Sequence, residues 1–101
     1  MKRRVVVLPP AEDDLDAGQQ FYEQEAPGLG EYFIDCLAVD IEALSGTAGV
    51  HRKIHGLHRC VCKRFPYAIF YKTERDAVAV YAVLDCRRDP DELHARLFGR
   101  Q

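Results

Sequence analysis

The sequence predicts a single α+β domain in the order β-α-α-β-β-β-β-α, with a helical hairpin packed on one face of a mainly antiparallel, twisted sheet. Two apolar stripes at helical spacing are separated only by Ala26-Pro27-Gly28, a connection short enough to make the two helices antiparallel neighbours. After Gly46 the hydrophobic period changes from helical to alternating, the pattern of strands. A β-branched run at the start adds one more strand. A chain of 101 residues suffices for one compact core and is too short for two.

Arg3 to Leu8 is β-branched and apolar and stops at Pro9-Pro10. Proline in a first helical turn is well placed, because its missing N–H would have no partner there anyway. Glu12, Asp13 and Asp14 follow, and acids in a first turn complement the helix dipole. Ala11, Leu15, Gly18 and Tyr22, with Phe21 beside them, recur at helical spacing to about Glu25. The second helix reads from Leu29 to Leu44, with Leu29, Phe33, Cys36/Leu37, Asp40/Ile41 and Leu44 on its core stripe and Gly46 just past its end.

Val50 to Ile54 reads as a strand, His55-Gly56-Leu57 as a turn and His58 to Arg64 as the next strand. Phe65-Pro66 marks a bend, after which Tyr67 to Tyr71 is a strand with Tyr67, Ile69 and Tyr71 on one face. Thr73 to Asp76 is a polar turn, and Val78 to Leu84, the most hydrophobic strand, belongs in the sheet centre. Pro90 opens a short terminal helix through Leu93 and Leu97.

Composition places the chain among globular proteins, with 48% hydrophobic and 30% charged residues. The longest apolar run, Ala77 to Leu84, is far too short to span a bilayer. The basic start followed by a brief apolar stretch lacks the length of a signal peptide, so a cytosolic location and no membrane partner are expected. In that compartment Cys36, Cys60, Cys62 and Cys86 read as thiols packed like small apolar residues. His51, His55 and His58 precede the Cys60/Cys62 pair, but no pair has C-x2-C spacing. Neither a metal nor a cofactor is expected.

The net charge of −2 is unevenly divided. Met1 to Gly46 holds three Lys/Arg against ten Asp/Glu, whereas Thr47 to Gln101 holds eleven against six. No acid occurs from Thr47 to Thr73, where Arg52, Lys53, Arg59, Lys63, Arg64 and Lys72 are found. Such asymmetry suggests a surface for an anionic or acidic partner, although solvated sheet positions produce the same count.

Five segments resemble the RelE/ParE superfamily of bacterial toxins. They are the strand ending in Leu8-Pro9, the Ala11-Glu12-x-Asp14-Leu15 helix opening, Phe21-Tyr22-x-x-x-Ala26-Pro27-Gly28-Leu29, Arg64-Phe65-Pro66-Tyr67-x-Ile69-x-Tyr71, and Arg87-Arg88-Asp89-Pro90. The resemblance implies a growth-inhibiting toxin encoded beside an antitoxin whose C-terminal segment wraps the sheet and helices, forming a toxin–antitoxin hetero-oligomer. It also implies one of two targets. RelE-like members cleave messenger RNA on the ribosome, whereas ParE-like members poison DNA gyrase without cutting nucleic acid.

RNA cleavage through the 2′-hydroxyl requires a base, cations for the phosphorane and an acid for the leaving oxygen. Catalytic candidates for that reaction are Arg59, Lys63, Arg64, Arg87, Arg88 and His94, with Arg59 and Lys63 expected on one strand face. The C-terminal tyrosine that the resemblance implies for a RelE-like enzyme is missing, since the last one, Tyr81, falls inside the most hydrophobic strand. His94 stands in for it or is a solvated helix residue. The ParE-like branch is therefore expected, an inhibitor more than an enzyme, with the ribosome and mRNA as the alternative target and a silent antitoxin-binding member as a third reading. Candidate partner-binding residues are Arg52, Arg59, Lys63, Arg64, Tyr67, Tyr71, Arg87 and Arg88. Two of these sets have competing structural roles: Tyr67 and Tyr71 as core, and Arg88 as the partner of Asp85 or Asp89.

Overall fold

The computed structural model describes residues 2–87 and 94–96. Its elements are β1 (Arg4–Val7), α1 (Pro9–Glu25), α2 (Leu29–Thr47), β2 (Lys53–Ile54), β3 (Leu57–Val61), β4 (Tyr67–Thr73) and β5 (Ala77–Asp85). The strands form one sheet in the order β1-β5-β4-β3-β2. All neighbours run antiparallel except β1, which pairs parallel with β5. A parallel pair needs a long crossover, and the helical hairpin supplies it. The expected terminal helix lies outside the described residues apart from 94–96, which are helical.

Both helices use backbone and neighbours for their ends. Leu8, extended, accepts the first α1 bonds from Ala11 and Glu12, with prolines in the first turn as expected. The start of α2 follows Gly28 at φ +86°, and Glu23 from α1 accepts hydrogen bonds from the Gly28 and Gly30 amides at 3.0–3.1 Å. A carboxylate at a helix N-terminus satisfies orphan N–H groups and suits the dipole. Gly46 does not end α2, which continues to Thr47. The reversal falls at Gly49, whose φ of +102° is the left-handed conformation that glycine tolerates.

Two strands are shorter than their sequence pattern. The run from Val50 contributes only Lys53–Ile54 to the sheet, because His51 and Gly49 are bonded to Tyr71 instead. β3 stops at Val61, because the Lys63 amide leaves the sheet to donate to Asp40 Oδ2 on α2 at 3.1 Å. β5 has partners on both edges, with β4 at the true centre. The β4–β5 register shifts at Phe70/Tyr71, which face Ala82 and Val80, so Tyr81 is an extra residue of a bulge.

Strand parity divides the core. Tyr67, Ile69 and Tyr71 face the hairpin and pack with Phe33, Leu37, Ile41 and Leu44. Ala68 and Phe70 turn the other way, into a smaller cluster with Leu57 and Ala82. Burial of each large side chain contributes roughly 1.5–3 kcal/mol. The helices approach closely through two glycines. A Cβ on Gly18 would stand 2.6 Å from Phe33 Cζ, and one on Gly30 would stand 2.6 Å from the Gln19 carbonyl oxygen.

Beyond Val7 the β5 edge outlasts its parallel partner, and α1 takes over. Asp14 Oδ2 accepts the Val83 amide at 2.9 Å, while Oδ1 pairs with Arg96 at 2.7 Å. Arg96 also donates to the Pro10 carbonyl at 2.9 Å.

Gly18→Ala is expected to destabilise the fold by about 1–3 kcal/mol, because the buried Phe33 ring has to move. Gly46→Ala, with nothing within 4 Å of the new Cβ, is expected to stabilise it by about 0.5–1 kcal/mol. Urea unfolding midpoints for the two variants check the pair.

Candidate functional site

Among the described residues, the basic side chains singled out in the sequence come from different elements and different sides of the sheet. Arg59 lies opposite Phe70, on the sheet face turned away from the hairpin, with its guanidinium 3.4 Å from Cys86 Sγ. Lys63 does not share that strand face, since it lies in the bend beyond β3 and is exposed, as is Arg64. Arg87 follows Asp85, which sits opposite Tyr67 on the hairpin side. Arg87 donates from Nε and Nη2 to the Asp85 carboxylate, at 2.9 and 2.7 Å, and that carboxylate raises the guanidinium pKa. Arg52 is exposed just before β2, and its carbonyl accepts the Arg59 amide. His94 is exposed, with its ring 5.2 Å from that of His55. Arg88 lies outside the described residues.

Tyr67 and Tyr71 are not available to a partner: both are buried, Tyr71 completely. Tyr67 joins an aromatic cluster in which Phe33 contacts both Tyr67 and Phe65 near 5 Å. Tyr22 closes on Phe65 at 4.8 Å, and burial raises the Tyr22 phenol pKa even with Arg87 beside it. Phe65, read from sequence as a bend residue, is thus the link between the hairpin and the sheet loop. The cluster ends at the surface in Phe21 and Tyr32, each about half exposed.

One surface feature was not visible in sequence. Val5 and Val7 of β1 line an apolar groove of 320 Å³ with Leu15, Ile34, Ala38 and Ile41, and Glu42 stands at its rim. Among the described residues β1 is an edge strand, paired on one side only. An edge strand beside an apolar groove is suited to taking an added strand or an amphipathic helix. Its residues come from positions 5 to 42, and no local motif marks the meeting.

The cysteines and histidines are engaged elsewhere. Cys62 is buried, and burial together with Asp40 pushes its thiol far above the usual range; burial raises Cys60 as well. His51 contacts Tyr71, and His58 contacts the His51 carbonyl. Among the described residues no three His, Cys, Asp or Glu side chains group around a possible metal position. Among the same residues no helix is long and apolar enough to cross a membrane.

Comparison with known proteins follows the fold. Residues 5–90 match the family model described as the ParE toxin of the type II toxin–antitoxin system, parDE. A solved structure described as the chromosomal ParDE TA system from P. aeruginosa superposes with a TM-score of 0.74. It is 16% identical in sequence, and the match covers 81% of this chain and 94% of that one. No curated protein sequence matches the chain.

Thiol accessibility tests the site geometry. N-ethylmaleimide is expected to modify exposed Cys86 first and buried Cys62 last, the latter only through opening of the core. Mass spectrometry of timed reactions reads the order, and early modification of Cys62 would contradict its placement.

Proposed function

The chain belongs to the ParE toxin family of type II toxin–antitoxin systems, and we propose that it arrests growth in the cytoplasm by binding DNA gyrase until a cognate antitoxin neutralises it. The observation that carries the choice of a binding inhibitor over a nuclease is the dispersal of the cations. Arg59 is on the sheet face turned away from the hairpin, whereas Arg87 lies past the end of β5, beside Tyr22 of α1, and is already paired with Asp85. A phosphorane needs its cations, base and acid around one point. The last tyrosine of the chain, Tyr81, belongs to the β5 bulge, which also speaks for inhibition by contact.

The antitoxin is proposed to occupy the β1 edge and its groove. Main-chain hydrogen bonds to an added segment supply affinity, and apolar side chains entering the groove supply specificity. A separate acidic part of the antitoxin is proposed to reach Arg59 and Lys63, which lie at and beyond β3 and away from the groove, and this attraction speeds association.

Purified protein in molar excess is expected to abolish supercoiling by gyrase and to leave ribosome-bound message intact. Unchanged supercoiling with cleaved message would reverse the assignment. Arg59→Glu combined with Lys63→Glu is expected to weaken the antitoxin complex by about tenfold and to flatten its salt dependence. Affinity and salt slope that both stay unchanged would remove Arg59 and Lys63 from the interface. Titration calorimetry at two ionic strengths gives both quantities.

A further inference from the structure

The connection from α2 to β2 meets the sheet at the Tyr71 hydroxyl, at His58 Nδ1 and, through the Arg52 carbonyl, at the Arg59 amide. Tyr71 Oη lies 3.0 Å from the Gly49 amide nitrogen and 2.6 Å from His51 Nδ1. The Tyr71 side chain is fully buried. His58 stacks on the Tyr71 ring, with centroids 5.0 Å apart and planes at 21°, and its Nδ1 is 2.6 Å from the His51 carbonyl oxygen. His51 meets the same ring edge-on at 5.6 Å.

Counting donors fixes the protons. A carbonyl oxygen only accepts, so His58 Nδ1 carries the hydrogen in its bond to His51. The Gly49 N–H takes one lone pair of the Tyr71 hydroxyl, whose own hydrogen then points to Nδ1 of a neutral His51. Protonation of His51 Nδ1 changes this. Two donors then converge on Tyr71 Oη, and the phenol hydrogen is left without an acceptor in a buried place, which is costly.

We propose that His51, Tyr71 and His58 form an acid-sensitive latch, which holds the segment from Gly49 to Arg52 on the sheet while His51 is neutral and releases it when His51 takes a proton. The groups facing His51 allow no easy compensation. β3 contributes His58, β4 contributes Tyr71, on which Cys60 of β3 acts in turn, and the segment itself continues into Arg52 and Lys53. No acid occurs from Thr47 to Thr73, and the Asp40 carboxylate of α2 acts on Cys60. Burial first, and then His58, lower the His51 pKa below its usual 6.5. A depressed histidine leaves the closed form fully favoured above that value and weakens it as pH falls toward the folded pKa. The released segment carries Val50, already 78% exposed, and the exposed cation of Arg52, so opening alters the surface offered to a partner.

Hydrogen exchange of the uniformly ¹⁵N-labelled full chain tests the latch. The Gly49 amide is expected to lose on the order of tenfold in protection factor between about pH 7.5 and about pH 5.5, while core amides of β4 keep theirs. That loss should set in near the ordinary histidine value of 6.5 and level off through the titration of the His51 ring protons. His51→Gln, which accepts the phenol hydrogen but does not titrate, should make Gly49 protection independent of pH. Constant Gly49 protection in the wild type while His51 titrates overturns the proposal. A loss that does not level off with the His51 titration overturns it too, and so does an equal loss in His51→Gln. The wild-type comparison decides the matter even if the variant folds poorly.

Discussion

The structure depends on how closely α1 and α2 approach one another. At Gly18 the missing side chain is what admits the Phe33 ring, and at Gly30 it admits the α1 backbone. With any larger residue at Gly18, Phe33 could not sit both beneath α1 and against Tyr67. Its ring joins the two helices to β4 and, through Phe65, to the loop between β3 and β4. Interiors packed at crystal-like density transmit such a constraint instead of absorbing it. The close crossing therefore sets where the hairpin lies on the sheet, and with it the groove beside β1.

A second constraint is electrostatic and local. The hairpin holds ten acids and no Lys or Arg, yet three of its carboxylates act as backbone acceptors. Glu23 takes the first amides of α2, Asp14 takes Val83 where β1 no longer covers β5, and Asp40 takes Lys63 where β3 leaves the sheet. Each supplies an acceptor at the point where regular structure stops, which is where buried N–H groups otherwise go unpaired. The remaining acids cover the outer helix faces, so the charge asymmetry of the sequence becomes an acidic hairpin on a sheet richer in cations.

Periodicity carried much of the architecture. The stripe of Ala11, Gly18 and Tyr22, the stripe of Phe33, Leu37, Ile41 and Leu44, and the β4 face of Tyr67, Ile69 and Tyr71 all point inward as their spacing implies. What spacing could not reveal was set by distant partners. An i, i+4 count places Arg59 and Lys63 on one face only if the strand continues, and the bond from Lys63 to Asp40 ends it at Val61. Gly46 looked like a helix stop because glycine favours one, but the left-handed residue is Gly49, drawn to Tyr71. The β5 bulge, the dispersal of the arginines and the groove each need a register that no local pattern encodes. The resemblance to known toxins was carried by short segments spread along the chain, and the family match over residues 5–90 agrees with it.

A toxin that works by contact needs a rigid body and a partner able to mask it. The hairpin clamped to the sheet gives such a body, and the β1 edge beside its groove is where the proposed partner adds. Induced expression in growing cells, with and without the cognate antitoxin, tests this most directly. Arrest with filamentation and DNA damage, reversed by the antitoxin, is expected. Prompt loss of translation with intact DNA, or no arrest at all, would contradict it.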